Sequence, residues 1–219
     1  MKKTLVTVVA VGAVVAMAGA ASAVITGSKH DFNFSIAGYT GILTGLGYTY
    51  NNQICTPCHA PHGNINAAGT LLWNHAASTV AAFTPYDSPS MDAAPPGAAS
   101  VATMQCMSCH DGSTALDSFA GNVGGTFIGA GALVGAGGNF AQDHPIGIPY
   151  TFPESTAGLN DPATTAYGAA GLFIANYLEG GTNVECWSCH DVHNQGTAVA
   201  KLLVEDNFNS TMCLKCHIK

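Results

Sequence analysis

The sequence predicts a mostly irregular chain with short α-helices and little β-structure, organised around a core that side chains alone do not supply. Three observations lead there. All eight cysteines fall in four copies of one five-residue motif, Cys-x-x-Cys-His. Large apolar residues hold neither a helical nor an alternating period for long. Glycine and proline interrupt much of the remainder, and structureless loops of that length do not fit an ordinary globular domain.

The motifs read Cys55-Thr-Pro-Cys58-His59, Cys106-Met-Ser-Cys109-His110, Cys186-Trp-Ser-Cys189-His190 and Cys213-Leu-Lys-Cys216-His217. This pattern is the attachment signature of c-type haem: two thiols add to the vinyl groups as thioethers, and the adjacent histidine reaches the iron. Zinc ribbons and redox sites also use Cys-x-x-Cys, and the last two motifs have a spacing that one structural zinc could bridge. A ribbon, however, has no reason to place histidine directly after each second cysteine. A disulfide framework has none either. The expected cofactors are therefore four covalent haem c groups, with His59, His110, His190 and His217 as proximal ligands. Burying a few hundred Å² of each macrocycle contributes on the order of 10 kcal/mol, as an upper bound. Loops can then wrap the haems without extensive secondary structure.

Along the chain, residues 1–23 read as a secretory signal peptide. Lys2 and Lys3 precede an apolar run over residues 5–20, and Ala21-Ser22-Ala23 has the small-x-small cleavage pattern. An uncleaved anchor is the alternative, but its apolar run would need to be about 20 residues or longer. Residues 24–219 form the expected tetrahaem domain, with no membrane span after cleavage. Short helices are expected at the binding motifs. A further helix is expected over residues 162–179, with Asp161 as N-cap, Pro162 at the first position and Gly180-Gly181 as the stop. The Gly-rich stretch over residues 119–140 is either a surface loop or backbone packed closely on a haem face or another subunit.

Charge excludes some partners. There is no arginine, and beyond Lys2 and Lys3 the only lysines are Lys29, Lys201, Lys215 and Lys219, against thirteen acidic residues. Haem propionates add to that negative charge. No basic face exists for nucleic acid or for an anionic membrane surface.

The distal ligands decide haem function. Five histidines stand outside the motifs: His30, His62, His75, His144 and His193. They suffice to close all four irons, and Met91, Met104, Met107 and Met212 are then not needed as ligands. His62 and His193 each follow a proximal histidine by three residues. Positions three apart on one helical turn point to the same side, so neither can clamp the haem of its own motif. Each must reach a neighbouring iron, which brings haems close together.

The two Cys-x-x-Cys-His-x-x-His segments resemble those of the doubled-motif multihaem cytochromes c of metal-respiring bacteria. The segments around His30, Leu72-Trp73-Asn74-His75 and Asp143-His144-Pro145-Ile146-Gly147 are similar to ones that carry distal histidines there. With four haems and this size, the chain resembles the extracellular tetrahaem cytochromes of the OmcE-like filament (nanowire) group. That resemblance implies a homopolymer in which one distal histidine, His62 or His30 here, is donated by the adjacent subunit. It also implies electron exchange with other redox proteins and extracellular acceptors.

The expected function is electron transfer without bond chemistry, so the chain is not expected to be an enzyme. A monomeric periplasmic tetrahaem carrier is the alternative. A multihaem oxyanion reductase fits less well, since it needs an open iron and cationic groups beside it, and arginine is absent.

Overall fold

The computed structural model describes residues 25, 28–32, 54–62, 72–91, 93, 99–150, 158–193 and 200–218; the signal peptide expected over residues 1–23 lies outside them. Regular structure is sparse among the described residues. There are two α-helices, α1 (Val101–His110) and α2 (Thr211–Cys216), and two short strands, β1 (Ile148–Pro149) and β2 (Asn183–Val184). No helix among them is long and apolar enough to cross a membrane.

Helix α1 starts where Ser100 accepts a bond from the Thr103 amide at 3.1 Å, a side-chain cap for an otherwise orphaned donor. Its last turn is the second Cys-x-x-Cys-His motif. Helix α2 carries the fourth motif, with His217 just past its end. The antiparallel pair of β1 and β2 sets Ile148 opposite Val184, and β2 leads directly into Glu185 and the third motif.

Three motifs share one backbone clamp. The amide after the histidine (Ala60, Asp191, Ile218) donates to the carbonyl of Leu72, Leu202 and Gly158, at 2.8, 2.7 and 2.6 Å respectively. The carbonyl of the second cysteine (Cys58, Cys189, Cys216) accepts from Asn74, Val204 and Asn160, at 2.9, 3.0 and 2.9 Å. In each case the clamping residue is left-handed, with φ of 56° at Leu72, 54° at Leu202 and 61° at Gly158. A leucine in that region costs about 1–2 kcal/mol, a strain that the paired bonds on either side sustain. The second motif is held differently: the His110 carbonyl accepts from Val134 at 2.9 Å.

Side-chain cores are small and lie against motif cysteines. One joins Phe32, Leu116 and Phe119 with Cys109 and Ile128. The other joins Tyr167, Ile174, Leu178 and Val204 with Tyr150, Met212 and Cys216, among others.

The helix expected over residues 162–179 does not form. Asp161 does cap a turn, its carboxylate accepting from Ala163 and its carbonyl from Thr165, both at 2.9 Å. The chain then doubles back: Ala166 bridges Phe173, and only Ile174–Tyr177 winds a 3-10 turn. Gly168 has φ of +69°, and a Cβ there would run into the Tyr177 hydroxyl, which accepts from the Ala169 amide at 3.0 Å. Tertiary packing of Tyr177 thus overrides a good local start signal.

The Gly-rich stretch is anchored on its own chain in places. Gly138 has φ of +83°, and a side chain there would meet the Ala82 carbonyl and Val80, whereas Gly125, Gly129 and Gly131 face open space. Asp117 ties the start of the stretch, accepting from the amides of Gly125 and Thr126 at 2.9 and 2.8 Å.

Candidate functional site

Each motif forms one helical turn. In the first, third and fourth, the histidine amide donates to the carbonyl of the first cysteine, at 2.8, 3.1 and 2.9 Å for His59, His190 and His217. In the second, the turn is the end of α1. Positions i, i+3 and i+4 share one helical face, so the spacing sets both thiols and the imidazole on one side. No disulfide joins any of the eight cysteines.

The motifs follow one another in space in chain order. Cys58 acts electrostatically on Cys109, Cys106 and Cys186 influence each other's titration, and Cys189 lies within the influence of Cys213 and Cys216. Burial pushes the thiols of Cys58, Cys109 and Cys216 up, to about 11, 12 and 11. In this close pair Cys106 is raised and Cys186, favoured as a thiolate beside Cys106, is lowered to about 7.

Histidines outside the motifs come to face motif histidines. His193 lies against His59 with ring centroids 6.2 Å apart, His30 against His110 at 6.0 Å, and His144 against His217 at 6.4 Å. Two imidazoles on opposite sides of one metal ion, with metal–nitrogen bonds of about 2.0–2.1 Å and ring centres about 1.1 Å beyond, have centroids about 6.2–6.4 Å apart. The His193–His59 and His144–His217 pairs fall within that range, and the His30–His110 pair sits slightly closer. Rotation about the shared axis is free, so ring planes 18°, 42° and 62° apart are all compatible with it.

Tautomer control fits the same purpose. His110, His144 and His190 set Nδ1 against the carbonyls of Ala132, Pro145 and Lys201, at 2.9, 2.9 and 3.1 Å. With Nδ1 donating to a carbonyl, the lone pair rests on Nε2, the arrangement found at metal-ligating histidines. Burial, together with the charges of His110 and His190, lowers His30 to about 4 and keeps it neutral, as a metal ligand must be. Its buried Nδ1 has no hydrogen-bond partner among the described residues.

Two candidates lie apart from these pairs. His75 is buried, with Nδ1 2.9 Å from the Ala76 carbonyl and Nε2 3.4 Å from Cys109 Sγ. His62 is exposed, and no histidine ring faces it among the described residues. His190, the remaining motif histidine, is also exposed, and no ring lies across from it among the described residues. Among the described residues no three His, Cys, Asp or Glu side chains converge on a single metal position; the geometry gathers imidazoles in twos.

Sequence reasoning passed over several residues that hold the motifs in place. Thr103 donates to Glu185 Oε2 at 2.5 Å and contacts Cys186 Sγ at 3.5 Å, tying α1 to the third motif. The Tyr167 hydroxyl donates to the Ser188 carbonyl at 2.9 Å, and the Tyr150 hydroxyl to the Cys216 carbonyl at 3.2 Å. Burial is the main reason both phenols titrate well above the usual tyrosine range. Trp187, inside the third motif, and Trp73, beside His59, were in plain view but carry no motif of their own.

No protein-family model matches this chain, and no curated protein matches it significantly.

Proposed function

We propose that this protein is an electron-transfer protein holding four covalent c-type haems, each closed by two histidines, in a close sequence along the chain. The observation that carries the reading is the set of three cross-segment histidine pairs at 6.0–6.4 Å, each joining a motif histidine to one from elsewhere. When bound, the haems supply the one-electron iron couple. The residues do the rest. The eight motif thiols would fix the groups covalently, and His59, His110, His190 and His217 would ligate the irons. His193, His30 and His144 would be the second ligands at the first, second and fourth motifs. Carbonyl bonds to Nδ1 fix the tautomer and raise ligand basicity, which favours the oxidised state and a low potential. Two histidines per iron leave no position for a substrate.

The chain is further proposed to polymerise into an extracellular conductive filament, with His62 of an adjacent subunit completing the iron at His190. Exposure of both residues supports this, and the pairing of His30 with His110 favours His62 over His30 as the donor in trans. A monomeric periplasmic carrier would place His62 or His75 on His190 within one chain.

The ligand assignment is tested by His193→Ala, His30→Ala and His144→Ala. Each variant should retain four haems by mass and convert one low-spin centre to high spin. Three spectra unchanged from wild type would refute the assignment. Electron microscopy of the culture medium tests assembly: filaments should be present for wild type and absent for His62→Ala. Dispersed particles from wild type would sink the filament reading.

A further inference from the structure

We propose that the indole N–H groups of Trp73 and Trp187 are the hydrogen-bond donors that hold haem propionates in this protein, a proposal that rests on the four-haem reading. Both Nε1 atoms are buried and have no acceptor among the described residues. An indole N–H is a donor only, and buried donors are almost always satisfied. Each therefore requires an acceptor that the described residues do not provide.

Their positions say where that acceptor lies. Trp73 is bridged to His59 through the backbone and sets its ring edge-on to that imidazole, with centroids 6.1 Å apart and planes at 89°. Trp187 stands within the third motif, between Cys186 and Cys189. Both indoles thus sit beside residues that would hold a haem; Trp187, at the thioether edge of its own haem and remote from that haem's carboxylates, would reach a carboxylate of an adjacent one. With the macrocycle nitrogens on the iron, the strong acceptors left on a haem are its two carboxylates.

Charge points the same way. Four haems bring eight carboxylates to a chain without arginine. Lys215 is already engaged, 3.2 Å from Glu205 Oε1 and 3.3 Å from the Ala166 carbonyl. Neutral donors must take much of the role that arginine usually fills for carboxylates. An indole N–H leaves the negative charge in place, in keeping with the low potential expected above.

Trp73→Phe and Trp187→Phe keep an aromatic ring and remove the N–H, and both are made in the full haem-loaded protein. Mass spectrometry first counts haems: four in wild type and both variants is expected, and a wild type without haem overturns the four-haem reading rather than the donor assignment. Visible-excited resonance Raman then reads the propionate bending bands. One component should shift in each variant, and a different one in each. Ultraviolet resonance Raman of the wild type, which needs no substitution, should show both indoles hydrogen-bonded. Propionate bands superimposable on wild type in both variants overturn the proposal, as do free indole N–H bands in the wild type.

Discussion

Thr103→Val tests the contact that ties the second motif to the third. Thr103 is fully buried, and its hydroxyl donates to Glu185 Oε2 at 2.5 Å. Valine keeps the shape and removes only the O–H, so no cavity contributes. Glu185 is itself buried, and burial is the largest influence on its carboxyl, raising it above 4.5. Above its raised value the carboxylate is ionised, and losing a hydrogen bond to a charged group costs about 1.5–3 kcal/mol. The partner stays in place without its donor, so the expected loss is about 2–3 kcal/mol. At about pH 4 the carboxyl is neutral and the loss falls to about 1 kcal/mol. Because the folded-state value is raised, the contribution of Glu185 is fully present below the ordinary value and is lost as pH rises through the raised one. Each unit of that rise is worth about 1.4 kcal/mol. Glu185→Gln should therefore remove this decline and be the more stable protein at about pH 8 relative to wild type. Denaturant unfolding of the haem-loaded protein, followed by far-ultraviolet circular dichroism at both pH values, measures all three. A Thr103→Val penalty below about 0.5 kcal/mol, or one equal at both pH values, would refute the reasoning.

Other substitutions test the supports around the motifs. Gly138→Ala should destabilise by about 2–4 kcal/mol, since its left-handed backbone is strained for alanine and the Cβ meets the Ala82 carbonyl; thermal unfolding reads it. Tyr167→Phe should cost about 1–1.5 kcal/mol by leaving the Ser188 carbonyl without its donor. Spectrophotometric titration should show the same tyrosine absorbance change in that variant and in wild type through the ordinary phenol range, because Tyr167 does not ionise there. Lys215→Met should cost about 0.5–1 kcal/mol, less in high salt, since its ion pair with Glu205 is partly exposed.

Much of the candidate site was legible because it is written locally. The spacing of Cys55, Cys58 and His59 is one helical turn, and that turn needs nothing distant to bring two thiols and an imidazole to one side. The placement of His193 three residues after His190 is also local, whereas its position against His59, from another motif, comes from the tertiary fold. The false helix over residues 162–179 shows where such reasoning stops. Asp161 and Pro162 signal a start, but Gly168 and the hydroxyl of Tyr177 decide that the chain turns back. Thr103 and Glu185 were invisible for the same reason: they are 82 positions apart, and neither belongs to a pattern.

By itself the sequence supplied the groups: four thiol pairs with four adjacent histidines, five more histidines, and few cations. Those are matters of composition and of spacing within a turn. Tertiary structure decided the partnerships. It set His30 on His110, His144 on His217 and His193 on His59, left His62 and His190 exposed, and buried two indole N–H groups without acceptors among the described residues. Those outcomes depend on how distant loops close on one another, through the clamps at Leu72, Leu202 and Gly158, and loop closure leaves no periodic trace in a sequence.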